Sequence, residues 1–515
     1  MNEKENSARC LAVLGTGSDV GKSVTVAALC RIFSDLGVNV APYKAQNMSN
    51  NSHVTGLGGE MGRAQVVQAE AARVAPHVDM NPVLLKPATD TGAQVVVQGR
   101  PIGNRKAADY FKDTLPLFEK AKESLDRLRS EHDLIIMEGA GSCAEMNLLS
   151  RDFVNFRMAG YAKAPVILVA DIDRGGVFAQ IIGTMHILPE EYKSLVKGFI
   201  INRFRGDAAL FDDGIRYIEE FTGLPVLGLV PYFRHIEIDS EDGLPLDIVI
   251  DPPAGPVPGR INIAVIRLPH ISNFTDFNPL IRQKAVSLHY LSKPRALSGC
   301  DLVILPGSKN VRSDLGWMRE TGWDRAIGDY WDSGGRILGV CGGYQMLGNI
   351  IRDPLGLEGD PGDTVGLRFL DVETELQPEK ILTRSKGVWI SNGYAIDGYE
   401  IHMGRTRALS EPAPTARISS RNGEPASETD GHASPDGLVI GTYLHGLFDQ
   451  PGFCHAFLSD LRPDMEESLS SPDSAAADAF RQGQYDLLAR HFSDHLNMKR
   501  LMTILDRAEP AIREG

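Results

Sequence analysis

The feature that most constrains the fold is an alternation that runs through the first 230 residues. Short apolar runs at 11–14, 38–41, 134–137, 166–170, 199–201 and 226–230 are separated by segments with helical spacing. An unbroken apolar run has two faces to bury. Runs that alternate with helices find that cover as strands of a parallel sheet with helices on both sides. The first run leads into a glycine-rich turn, GTGSDVGKS at 15–23, and the turn leads into a segment at 24–36 that carries Leu29, Ile32, Phe33 and Leu36 at helical spacing.

A glycine-rich turn between a strand and a helix lets backbone N–H groups surround phosphate oxygens at the positive end of the helix. Gly15, Thr16, Gly17, Gly21, Lys22 and Ser23 are therefore candidate nucleotide-binding residues, with Lys22 reaching the outer phosphates and the Ser23 hydroxyl ligating magnesium. The spacing departs from the common phosphate loop: counting back from Gly21, the first glycine of that pattern falls on Thr16. The variant resembles the loop of dethiobiotin synthetase and its relatives, and that resemblance implies ATP and Mg2+ used to activate a carboxylate. A magnesium site needs hard oxygen ligands. Glu138, which ends an apolar run in MEGAG at 137–141, is the preferred one, because strand C-terminal ends face the nucleotide in open α/β sheets. Asp171 and Asp173 end the next run and Asp152 lies between; each could be a ligand, a phosphate contact or a helix cap.

At 515 residues the chain exceeds one core, and a prior of about 150 residues per domain gives two to four. The composition changes at 251–259, DPPAGPVPG, where four prolines and two glycines fall in nine residues. Beyond it apolar runs resume at 261–266, 302–305, 337–340 and 438–443, so a second α/β unit is expected. The expected organisation is an ATP-dependent amide-forming domain at 9–250, a linker at 251–259, a second domain at 260–455 and a helical segment at 456–515. Residues 411–435, rich in Ser, Pro, Ala and Gly, are expected to loop out, and 475–507 to be helical packing. A net charge of −14 argues against a nucleic-acid partner. The six cysteines are scattered without CxxC spacing, which suits reduced thiols in the cytoplasm. The polar N-terminus has no signal-peptide core, and no run approaches the ~18 apolar residues of a membrane span. Glycosylation sequons at 47–49, 50–52 and 273–275 would then go unread.

In the second unit GVCGG, at 339–343, follows an apolar run and precedes YQML, which starts as a helix. A nucleophile on such a turn needs small neighbours, and the helix start lowers its thiol pKa. The backbone N–H of Gly342 could stabilise an oxyanion, with a second donor at Gly307 in the PGSK turn, 306–309. His445, in GTYLHG at 441–446, is the candidate base and His402, in YEIHMG at 399–404, its rival. Cys341 with His445 resembles a class I, triad-type glutamine amidotransferase domain, a family that forms a glutamyl thioester and releases ammonia. The family's usual glutamate two residues after the histidine is replaced by Leu447. That departure resembles the cobyric acid and cobyrinic acid synthases and leaves the group orienting His445 unassigned.

Further stretches resemble the cobyric acid synthase family: YKAQNMSNN at 43–51, GEMGRAQ at 59–65, MNPVLLKP at 80–87 and YEIHMG at 399–404. The resemblance runs from near Cys10 to near Asp460. It implies amidation of the b, d, e and g carboxylates of adenosylcobyrinic acid a,c-diamide, with glutamine, ATP and a corrinoid as partners and a protected ammonia route from Cys341 to the ATP site. Homo-oligomerisation stays open. Lys44, Gln46, Asn47, Arg63 and Lys86 would suit a substrate bearing many carboxylates and amides, and Asp152 is a further candidate contact. Two other readings are a cobyrinic acid a,c-diamide synthase and a non-catalytic partitioning-type ATPase switch. The asparagine-rich segment at 46–51 disfavours the first, and the presence of both Cys341 and His445 the second.

Overall fold

The computed structural model describes residues 8–89, 92–106, 110, 112–239, 255–470 and 473–507, so the first four residues of the expected linker, 251–254, lie outside it. The N-terminal unit is built on a six-stranded sheet in the order Val226–Pro231, Val196–Phe204, Val166–Asp171, Arg9–Gly15, Leu134–Glu138, Val40–Tyr43. Every neighbouring pair is parallel. The unbroken apolar runs have a simple cause. Ala12, Leu14, Ile135, Met137, Leu168 and Ala170 enter one core, while Leu11, Val13, Leu134, Ile136, Ile167 and Val169 enter another on the opposite face. At about 1.5–3 kcal/mol for each large apolar side chain buried, both faces contribute. Arg9–Gly15 lies between Leu134–Glu138 and Val166–Asp171, so its C-terminal end opens where the strand order reverses, the usual ligand crevice of such sheets.

The second unit has strands in the order Val286–Leu291, Ile261–Ile266, Leu302–Leu305, Ile337–Val340, Val439–Thr442, His432–Ala433, parallel except for the last. A long antiparallel hairpin, Val372–Trp389 with Ala395–Ala408, leaves this sheet and leans toward the N-terminal unit. Residues 411–435 do not loop out: Ala416–Arg421 pairs with Glu424–Asp430 and extends the hairpin's sheet. Their Ser- and Gly-rich composition hid strands whose buried positions, Ala416, Ile418 and Asp430, are few.

Two small sheets project from the N-terminal unit: Gln46–Met48, Val83–Thr89, Gly92–Val97 and Arg100–Lys106 in one, and Ser52–Val54 with Glu60–Gly62 in the other. The helices Ser474–Ser493 and Met498–Asp506 return to the first sheet. There Arg31, on the helix Lys22–Asp35, binds Asp486 and Gln482, and Asn497 N–H donates to Leu227 O. Among the described residues no helix is long and apolar enough to cross a membrane.

Candidate active site

The glycine-rich turn sits at the predicted crevice. Its last glycine, Gly21, has φ +95°, and a Cβ there would meet Asn202 Nδ2 at 2.1 Å, so neither the backbone nor the space admits another residue. Lys22 folds back with Nζ donating to Gly17 O (3.0 Å) and Gly141 O (2.8 Å). Ser23 Oγ donates to Glu138 Oε1 at 2.7 Å. Glu138 is 2% exposed and is the hub of a polar cluster: Lys44 Nζ pairs with Oε1 at 2.9 Å, and Gln68 Nε2 (2.5 Å) and Gln65 Nε2 (3.4 Å) donate to Oε2. Lys44 arrives because the strand Val40–Tyr43 is parallel to Leu134–Glu138 and ends beside it.

Ser23 Oγ and the Glu138 carboxylate are adjacent hard oxygens at the mouth of the loop, a donor pair that fits a magnesium ion. Among the described residues no group of three or more His, Cys, Asp or Glu could form a separate metal site. Asp152, expected as a contact, organises a turn: its oxygens accept from Val154 N, Asn155 N and Asn155 Nδ2, and Asn155 in turn binds Ala140. Asp171 accepts from Asp173 N and from Arg203, and Asp173 pairs with Arg205, so neither joins the Glu138 cluster.

The other expected substrate contacts, Lys86, Asn47, Gln46 and Arg63, each have a partner within the protein. Lys86 Nζ lies against Glu60 Oε1 (2.6 Å) and Ser52 Oγ (2.7 Å), all three buried. Asn47, also buried, donates to Gln65 Oε1 at 3.0 Å, and Gln46 accepts from the Tyr110 hydroxyl. Arg63, expected as a contact as well, pairs with Asp239 at 2.7 Å.

In the second unit Cys341 and His445 follow adjacent strands. Val340 is in register with Thr442, and Cys341 N–H donates to Thr442 O at 2.8 Å, so both side chains emerge at one sheet edge. Cys341 has φ +53° and ψ −106°, a positive-φ conformation rare for a side-chain-bearing residue, immediately before the helix Gly342–Leu347. Gly343 explains the small neighbours: a Cβ there would stand 1.9 Å from Leu305 O. The turn Gly307–Ser308 lies across the start of this helix. A Cβ on Gly342 would meet Ser308 N at 2.7 Å, and one on Gly307 would meet His445 Cε1 at 3.2 Å. Gly342, Gly307 and His445 thus lie close together beside Cys341, whose Sγ donates to Ile401 O at 3.6 Å.

His445 is 2% exposed, and its Nδ1 lies 2.6 Å from Asp276 Oδ2, while Asp276 Oδ1 accepts from Gly446 N–H at 3.1 Å. Burial favours the neutral imidazole. The Asp276 carboxylate and Cys341 beside it outweigh burial and hold the imidazole pKa up at about 10. Cys341, His445 and Asp276 therefore stand together, with the imidazole held between the thiol and the carboxylate. Leu447, at the position of the missing glutamate, is a buried apolar residue. The rival His402 has both ring nitrogens engaged elsewhere, Nδ1 with Gly404 O (2.8 Å) and Nε2 with Glu400 Oε2 (3.2 Å), and stacks on Tyr443.

Asp276 escaped the sequence reading. Its neighbourhood, 273–275, stood out only as a sequon, and 169 residues separate it from His445. Gln65 and Gln68 escaped too, because a glutamine on a short helix carries no signal of its own.

These two sites on their two sheets define a class: a phosphate-loop nucleotide-binding unit joined to a glutamine amidotransferase unit. Residues 11–246 match the CobQ/CobB/MinD/ParA nucleotide binding domain and residues 262–453 the CobB/CobQ-like glutamine amidotransferase domain. The chain is 56% identical to a cobyric acid synthase of Chlorobium phaeobacteroides (strain BS1), over 97% of this chain and 100% of that one. It is 54% identical to a cobyric acid synthase of Pelodictyon phaeoclathratiforme, over 98% of this chain and 99% of the relative. It belongs to the cobyric acid synthase family.

Proposed function

We propose that the chain forms amides on the b, d, e and g carboxylates of adenosylcobyrinic acid a,c-diamide, taking nitrogen from glutamine and energy from ATP, as a cytoplasmic enzyme of cobalamin biosynthesis. The observation that carries the reading is the coexistence in one chain of a Cys341–His445–Asp276 arrangement and a phosphate loop facing Glu138. In the glutaminase half the Cys341 thiolate attacks the glutamine amide carbon. The Gly342 and Gly307 region receives the oxyanion, and His445 gives its proton to the departing nitrogen. Ammonia leaves, and water then cleaves the thioester to glutamate.

In the other half a corrinoid carboxylate oxygen attacks the γ-phosphorus of ATP, ADP departs, and ammonia displaces phosphate from the acyl carbon. Lys22 and the loop N–H groups bind the phosphates, while Ser23 and Glu138 would hold magnesium, which neutralises charge on the phosphate oxygens. Lys44, paired with Glu138 at 2.9 Å, sets the orientation of that carboxylate.

The test separates the two halves. Cys341→Ala should lower glutamine-dependent amidation by roughly 10³-fold or more, since the whole nucleophilic route is removed. Added ammonia should still support amide formation, with successive mass changes of the corrinoid product counting the amides. Failure with ammonia as well would refute the two-site scheme.

A further inference from the structure

We infer that the corner Asn51–Ser52 of the nucleotide unit is a positioning element for the glutaminase base His445, and that it ties ammonia release to the Glu138 site. Two supports hold His445. Asp276 binds its Nδ1, and Tyr399 stacks on its ring with centroids 5.4 Å apart while pairing with it through two backbone hydrogen bonds. Both supports are gripped from the other half of the molecule by the same residue. Ser52 N–H donates to Asn273 Oδ1 at 3.1 Å, three residues before Asp276, and Ser52 O accepts from the Tyr399 hydroxyl at 3.4 Å. Asn273 Nδ2 closes the triangle on the Tyr399 hydroxyl, and Thr275 Oγ1 donates to Asn51 Oδ1 at 3.0 Å. Asn273, Thr275 and Asp276 are all buried, so these bonds lie where water does not replace them cheaply.

The corner is equally tied to the nucleotide unit. Ser52 Oγ donates to Glu60 Oε1 (2.9 Å) and accepts from Lys86 Nζ. Glu60, fully buried, also receives Lys380 at 2.6 Å. Lys380 comes from the hairpin strand Val372–Trp389, within the irregularity between Leu376 and Ile381. On the other side Arg63 N–H donates to Asn51 O at 3.0 Å and begins the helix Arg63–Ala71, whose Gln65 and Gln68 hold Glu138. Hydrogen bonds and one short helix thus join the proposed magnesium ligand to the imidazole. Were Glu138 to shift toward a bound ion, Gln65 and Gln68 would carry the displacement through the corner to the turn Phe274–Phe277, which holds Asp276. The inference rests on the two-site reading above.

The test cuts the link on the far side of both sites. Asn273 has φ +51°, so Asn273→Gly removes the side-chain bonds while keeping a residue at ease in that conformation. Thr275→Val removes the Asn51 bond at nearly constant volume. In the full chain each variant is expected to lower kcat for glutamine hydrolysis about ten- to a hundred-fold with KM for glutamine little changed, the effect of a small misplacement of a catalytic group. The link requires wild-type glutaminase to rise when ATP and magnesium are added; that rise should be lost in both variants, and ammonia-supported amidation should stay at the wild-type rate. Wild-type glutaminase kcat with its ATP stimulation intact in both variants would overturn the inference. A parallel loss of ammonia-supported amidation would overturn it too, by showing that the turn merely holds the fold. Wild-type glutamine-dependent amidation is the control, and its absence would instead count against the two-site reading.

Discussion

Replacing Asp276 by Asn tests the glutaminase most directly. The carboxylate sits 2.6 Å from His445 Nδ1 in a site where both groups are almost fully buried. Burial works against the imidazolium, yet its pKa stands at about 10 rather than the usual 6.5, with Asp276 the leading cause of the rise. That difference corresponds to ~5 kcal/mol of preference for the charged ring. Because Cys341 supplies part of it, Asn at 276 should forfeit about half, which at 1.36 kcal/mol per decade is roughly 10²-fold in kcat for glutamine hydrolysis. A flipped amide that imposes the wrong tautomer could raise the loss toward ~10⁴-fold. The pH behaviour supplies a second readout. A histidine whose folded pKa is raised contributes stability that is complete below pH about 6.5 and is lost as the pH rises through about 10. Wild type should therefore exceed Asp276→Asn in denaturant midpoint most clearly near pH 6, with the gap closing toward pH 10. The basic limb of the glutaminase profile should move to lower pH in the variant. Glutamine hydrolysis within about threefold of wild type, with an unmoved basic limb, would refute the assignment of Asp276 as the orienting acid.

Two other substitutions probe the remaining geometry. Glu138→Gln should reduce amide formation by at least ~10²-fold with glutamine or with ammonia, because it removes a charged oxygen ligand and breaks the buried ion pair with Lys44; steady-state rates with both nitrogen sources check this. Gly343→Ala would drive a methyl to 1.9 Å from Leu305 O, and thermal unfolding should report a loss of about 3 kcal/mol or more, or failure to accumulate folded protein.

The parts of the site that the sequence makes legible are those built within a few residues. The phosphate loop is a strand, a glycine-rich turn and a helix in direct succession, and the cysteine elbow is the same arrangement on the second sheet. Glu138 could be read because it ends an apolar run, and a parallel sheet sends all such ends to one edge. The hairpin strands and the Ala416–Arg421 pair were harder, since their burial alternates irregularly and their composition is that of a loop.

What the sequence by itself determined is the class of the fold and the two reacting centres, because backbone conformation and hydrophobic periodicity are local properties. What only the tertiary structure decided is how those centres are held. Asp276 reaches His445 across 169 residues, Ser52 reaches Asn273 across 221, and Lys380 reaches Glu60 across 320. No spacing rule connects such partners. They meet because two distinct sheets and a projecting hairpin press buried polar groups together, and a buried charge or amide is stable only where the opposing surface supplies its partner.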